Sequence, residues 1–268
     1  ADLTILCLPD AAAGEAAVWA QNAGTRVLDA STCHRVADDW TYGLPELCEE
    51  QRARIGSADR VSNPGCYSST FILLLRPLID AGLIPTDVPI SIHALSGYSG
   101  GGKSLIERWE NHDNELADLQ YEAPYALGWV HKHIPEMQRY TGLTVQPQFL
   151  PAVGPFHSGM RVQVPLHESI FYNRPDGEEI WTLLNQRYAG EPFIQVAPFA
   201  GFEAVSENDL DPTGFNGSNQ LQIHVFPNPA GHILLVGLLD NLGKGASGVA
   251  VQCLNLMLGL PEEAGLPV

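Results

Sequence analysis

The order of elements in the first thirty residues constrains the fold most. The apolar run Leu3-Thr4-Ile5-Leu6-Cys7-Leu8, closed by Pro9-Asp10, reads as a buried strand. The Ala-rich stretch 10–22 reads as a helix with Asp10 as N-cap, and residues 26–30 as a second strand. A parallel neighbour is reached only through a crossover, so this strand–helix–strand order predicts a parallel sheet of the doubly wound kind. A short helix at 46–55 continues the pattern.

After Tyr67 the character changes. A helix at 68–80 leads to a strand at 89–95, a glycine-rich turn and a helix from Ser104. Strands at 160–166, 220–226 and 233–240, with one helix at 178–188, predict a second, α+β unit with an antiparallel or mixed sheet. The last helix, 246–258, is apolar enough to pack back on the first unit. The expected organisation is a dinucleotide-binding unit of residues 1–65 and 242–268 around a catalytic and dimerisation unit of residues 66–241.

Composition narrows the partners. Fourteen Lys and Arg against thirty-one Asp and Glu give a net charge of −17, which argues against a nucleic-acid or anionic-membrane surface. The most apolar window, 71–79, is short and broken by Arg76 and Pro77, so no bilayer span is expected. Five Cys without a CxxC pair form neither a disulfide framework nor a zinc knuckle, and a reducing, cytoplasmic setting is expected. No signal peptide is visible, and a start directly in a buried strand looks like the middle of a domain.

Four motifs carry chemistry. In Ser62-Asn63-Pro64-Gly65-Cys66-Tyr67 a strand ends, Pro and Gly turn the chain, and Cys66 opens a helix. The positive helix end is expected to lower the thiol pKa, with Cys66 alkylating ahead of the other four cysteines. Cys7 and Cys253 suit inert packing roles better. Gly97-Tyr98-Ser99-Gly100-Gly101-Gly102-Lys103-Ser104 fits the P-loop pattern between a strand and a helix, with 233–240 as a metal-binding strand ending in Asp240. The same stretch also reads as a tight turn approaching an anion, with Lys103 supplying charge. Gly243-Lys244-Gly245-Ala246-Ser247-Gly248 matches G-x-G-x-x-G, but only twenty residues follow it. His131-Lys132-His133-Ile134-Pro135-Glu136 reads as a polar knot in a solvated loop, an acid/base candidate or half a metal site without a third ligand. No metal is expected. His93 reads as a satisfied sheet or core histidine, and the remaining His as structural.

Together with Asp240-Asn241-Leu242, these motifs, in this order, resemble the shorter type of N-acetyl-γ-glutamyl-phosphate reductases. Aspartate-semialdehyde and glyceraldehyde-3-phosphate dehydrogenases share that architecture and thiol chemistry. The resemblance implies a Rossmann-like cofactor domain with a semialdehyde-dehydrogenase-type mixed-sheet domain, an NADP(H) cofactor, a small acyl-phosphate substrate and a homo-oligomer, dimer or tetramer. Cys66 would form a thioester, and His133, with an ordinary pKa near 6.5, would be the general acid/base. Arg35, Asn63 and Lys103 would hold substrate, Arg35 alternatively being a surface residue. Leu8, Pro9, Ser31, Ser99, Gly100, Gly101 and Asn241 would contact the cofactor. The family opens with a Gly-x-x-Gly-x-x-Gly strand–turn–helix unit of roughly fifty residues, which is expected to precede Ala1 and leaves the cofactor domain incomplete. The other readings are a P-loop nucleotide hydrolase and a truncated, non-catalytic relative.

Overall fold

The computed structural model describes residues 1–128, 130–200 and 206–267. In the first unit, β1 (Leu3–Leu6), β2 (Arg26–Asp29), β3 (Thr41–Tyr42) and β4 (Arg60–Ser62) form a parallel sheet in the order β1-β2-β4-β3. α1 (Asp10–Asn22) is the crossover between β1 and β2, and α2 (Gln51–Ser57) precedes β4. Pro9, not Asp10, takes the N-cap position. The Asp10 carboxylate instead accepts from the Thr32 N–H at 2.8 Å, stitching α1 to the loop after β2. The expected helix 46–55 splits into a 3-10 turn, Pro45–Leu47, and α2, because Glu46 turns inward to meet Lys244.

The second unit begins with α3 (Cys66–Asp80). It continues with β5 (Ser91–Gly97), α4 (Gly102–Glu110), β6 (Ala123–Pro124), α5 (Ile134–Thr141), β7 (Gln148–Gly154), β8 (Met160–Leu166), α6 (Gly177–Arg187), β9 (Ile194–Val196), β10 (Leu221–Pro227) and β11 (Ile233–Leu239). These seven strands form one mixed sheet in the order β6-β7-β5-β8-β11-β10-β9. α3 lies against β8 and β11 between α5 and α6, and its Phe71, Leu74, Leu75 and Leu78 are fully buried with Ile92, Val162 and Leu235. Burial of these seven aliphatic and aromatic side chains on α3 and its sheet, at about 1.5–3 kcal/mol each, fixes this helix as the central post.

The short strands β3, β6 and β9, with β7 and α5, escape the sequence pattern. β7 carries Pro151, which cannot donate a ladder hydrogen bond, and it is accommodated next to the sheet edge, where only two-residue β6 follows. α5 forms where a polar loop is expected, with Pro135 in its first turn and Gly142 closing it at φ 86°. His93 is exposed on the outer sheet face, so it is not a core histidine.

The chain then returns. A π-helical turn, Gly243–Ser247, runs into α7 (Gly248–Leu258), whose Val249, Cys253 and Met257 pack on Leu28, Ile55 and Val61 of the first unit. Lys244 is 1% exposed and binds Glu46 and Gln252, each at 2.7 Å. It is an internal strut, not a ligand-facing cation.

Candidate active site

Because β1, β2 and β4 are parallel, their carboxyl ends share one edge, and the turn after β4 delivers Cys66 there. The turn is fixed by polar contacts. The Gly65 N–H donates to Glu136 Oε2 at 2.9 Å, while the Ser68 hydroxyl donates back to the Gly65 carbonyl at 3.0 Å. Ser69 and Thr70 hydroxyls both donate to the Cys66 carbonyl.

Arg35 and His133 converge on Gly65. A Cβ there would lie 2.4 Å from His133 Nε2 and 2.7 Å from Arg35 Nη1. Arg35 is 7% exposed and is not a surface residue. Its Nη1 donates to Glu136 Oε1 at 2.9 Å and Nη2 to the Ala30 carbonyl at 3.2 Å, while Nε has no protein partner. Glu136 also accepts from the Tyr42 hydroxyl at 2.8 Å. Behind His133, the His131 ring stands edge-on with centroids 4.7 Å apart. His131 Nδ1 accepts the His133 backbone N–H, so its Nε2–H donates to the Tyr125 oxygen at 3.1 Å. The His133 Nδ1 is buried without a partner.

Burial reverses two expectations about ionisation. It pushes the Cys66 thiol from 9.0 up to about 11, against the pull of the Tyr67 N–H and the Arg35 charge, and Glu136 adds to the rise. The helix start is present, but the energetic cost of a desolvated thiolate exceeds its help. Burial likewise holds His133 well below 6.5, followed by the charges of Arg35, His131 and Lys132, and it takes His131 to about 4. The resting pair is therefore neutral thiol and neutral imidazole.

The remaining residues fall into place unevenly. Asn63 donates to the Ala246 carbonyl at 3.0 Å and leaves its buried Oδ1 unpartnered. Asn241 accepts from the Gly159 N–H at 2.7 Å and donates to Ser99 Oγ at 3.0 Å. Gly100 lies against that pair, since a Cβ there would be 3.4 Å from Asn241 Nδ2. Gly245 ties this cluster to the nucleophile, for its own Cβ would lie 2.8 Å from Cys66 Cβ and 3.2 Å from the Asp240 carbonyl. Leu8 and Pro9 are exposed beyond β1. Ser31, after β2, gives its hydroxyl to Asp29 at 2.6 Å. An open strand edge and the unpartnered Asn63 amide oxygen beside Cys66 fit a nicotinamide dinucleotide laid across it.

One assignment fails on geometry. Lys103 points into solvent, its side chain 90% exposed and facing Glu107, so it is not a substrate-site cation. Gly101 packs on Leu105, 2.3 Å from a would-be Cβ, at the start of α4. With Lys103 turned away, and Asp240 accepting from the Gly217 and Leu242 N–H groups, the P-loop pattern has lost its lysine and its metal-binding acid. Sequence reasoning also passed over Glu136, Tyr42 and Gly65 as site residues. The available signal was Glu136 at three residues past His133, inside a motif already singled out.

Known proteins resemble this chain in sequence and in fold. Residues 1–55 match the model of the semialdehyde dehydrogenase NAD-binding domain, and residues 66–241 that of the semialdehyde dehydrogenase dimerisation domain. A Nostoc sp. protein named N-acetyl-gamma-glutamyl-phosphate reductase 2 is 49% identical over 270 residues, covering 99% of this chain and 84% of its own length. The chain belongs to the N-acetyl-γ-glutamyl-phosphate reductase family. The reductase 2 of Pseudomonas putida is 46% identical over 267 residues, with 99% and 84% covered. Among solved structures, aspartate semialdehyde dehydrogenase II from Vibrio cholerae shares the reductase fold at TM-score 0.73 and 19% identity, covering 96% of this chain and 79% of that one. The Candida albicans aspartate semialdehyde dehydrogenase with NADP does so at 0.66 and 16%, covering 96% and 77%. Among the described residues, no helix is long and apolar enough to cross a membrane.

Proposed function

We infer that the protein reduces N-acetyl-γ-glutamyl phosphate with NADPH to N-acetylglutamate 5-semialdehyde and phosphate, a step of arginine biosynthesis. The observation that carries the residue roles is the convergence of His133 and Arg35 on the glycine preceding Cys66. Cys66 sulfur attacks the γ-acyl carbon as its proton passes to the neutral imidazole of His133, and the bond to phosphate breaks to leave a thioester. Arg35 offers its unpartnered Nε–H to the anionic substrate. Reduced nicotinamide, when bound, would supply the hydride by which the thioester carbon becomes that of a thiohemiacetal. His133 gives its proton to the former carbonyl oxygen as that carbon is reduced, takes the hydroxyl proton back as the C–S bond breaks, and passes it to the departing Cys66 sulfur, while the expelled phosphate is protonated from solvent.

Leu8, Pro9 and Ser31 would hold the cofactor, Ser99, Gly100 and Asn241 would hold its nicotinamide end, and Asn63 would hold the substrate. Residues 1–65 with 242–268 form the cofactor unit and 66–241 the catalytic unit. The protein works as a homo-oligomer, which the dimerisation-domain match supports. Five free thiols suit a reducing, cytoplasmic setting. The test follows loss of NADPH absorbance at 340 nm with the acyl phosphate as substrate. Cys66→Ser should abolish turnover while retaining NADPH binding, and retained turnover refutes the thioester route.

A further inference from the structure

Glu136 is a fully buried carboxylate that the reaction scheme above does not use. Its two oxygens receive three donors from three separate parts of the chain. Oε1 takes Arg35 from the loop after β2, and Oε2 takes the Tyr42 hydroxyl and the Gly65 N–H. Tyr42 is itself clamped by stacking on Tyr140 of α5, centroids 3.7 Å apart. Both the residue before the nucleophile and the nearest cation are thus held by one side chain.

We propose that Glu136 is the positioning and charge-balancing residue of the site, fixing the Gly65–Cys66 turn and dividing the Arg35 charge between itself and the nucleophile. The inference rests on Cys66 being the nucleophile. The groups that act on the thiol are Arg35 and Glu136, with the Tyr67 and Tyr125 hydroxyls, while His133 stands against the adjoining Gly65. Arg35 and Glu136 are joined as an ion pair at 2.9 Å, while burial lowers the pKa of His133 and His131 and raises that of both phenols. A guanidinium shared with a carboxylate draws a thiolate weakly. Once a substrate anion competes for Arg35, the balance at sulfur changes with it.

Opposite responses separate this role from simple support of the fold. The rate of iodoacetamide alkylation at Cys66, followed peptide by peptide across pH 7–10, is the readout. Glu136→Gln should raise the rate at pH 8 about three- to tenfold by freeing the Arg35 charge. Arg35→Gln should lower it by a similar factor, because Glu136 then faces sulfur uncompensated. The double substitution should return the rate to near that of the parent. This double variant buries no charge, so it preserves the test where Glu136→Gln alone fails to fold. Both single variants shifting the same way, or the double variant reacting as slowly as Arg35→Gln, overturns the proposal. Turnover retained by Cys66→Ser would remove the thiol mechanism instead, and the alkylation comparison would still report on Glu136.

Discussion

Gly65→Ala tests the heart of the site with a single methyl group. Gly65 sits at φ −81° and ψ 146°, values any residue adopts, so the backbone itself resists nothing. The cost comes from contact. The new Cβ would stand 2.4 Å from His133 Nε2, 2.6 Å from His133 Cδ2 and 2.7 Å from Arg35 Nη1. Carbon to nitrogen contact needs about 3.5 Å, so each side chain must retreat by roughly 1 Å. Overpacking of this kind costs about 1–3 kcal/mol of stability. A displacement of 1 Å at an acid/base group costs about a hundredfold in rate. Steady-state NADPH consumption with urea unfolding should therefore show kcat/KM down about a hundredfold in a protein that still folds. Gly14→Ala in α1 is the control, since its Cβ meets only Cys33 Sγ at 3.6 Å. It should leave activity unchanged and stability level or slightly raised. A Gly65→Ala enzyme within threefold of the parent would show that His133 and Arg35 do not work from these positions.

Three further outcomes follow from the buried charges. With its thiol near 11, Cys66 should alkylate more slowly than exposed Cys7 at pH 7.5 in the ligand-free protein, read by peptide mass spectrometry; Cys66 labelling first would mean that the helix start outweighs burial. His131 binds its proton at about 4 folded and near 6.5 unfolded, so between these values the unfolded state holds more protons and stability falls as pH falls. That loss is about 2 kcal/mol after allowing for partial exposure, and urea midpoints of the parent and His131→Gln should converge by pH 4; parallel pH curves would contradict it. Burial pushes Glu46 up, but Lys244, joined by Gln252 and Arg52, outweighs it and holds the carboxyl below 4.5. Lys244→Met should thus cost about 3–5 kcal/mol by stranding that charge, and adding Glu46→Gln should recover much of it; a loss below about 1 kcal/mol would show the strut to be idle.

The sequence by itself determined the local elements and the order of the chemistry. Apolar alternation at Met160–Leu166 and the Ala-rich run Asp10–Asn22 depend on nearest neighbours, and both ranges agree with the structure. The Asn63-Pro64-Gly65-Cys66 turn likewise announces itself, because Pro and Gly act on their own backbone. What only the tertiary structure decided is which polar residues face each other. The run from His131 to Glu136 reads as solvated because its partners Arg35 and Tyr42 lie about a hundred residues away in sequence. Lys103 looks like a phosphate ligand until α4 turns it to solvent, while Lys244 looks ordinary until Glu46 meets it in the core. The thiol pKa belongs to the same class. A helix N-terminus is written in local sequence, but the burial that overrides it is assembled from strands, loops and helices brought together only by folding.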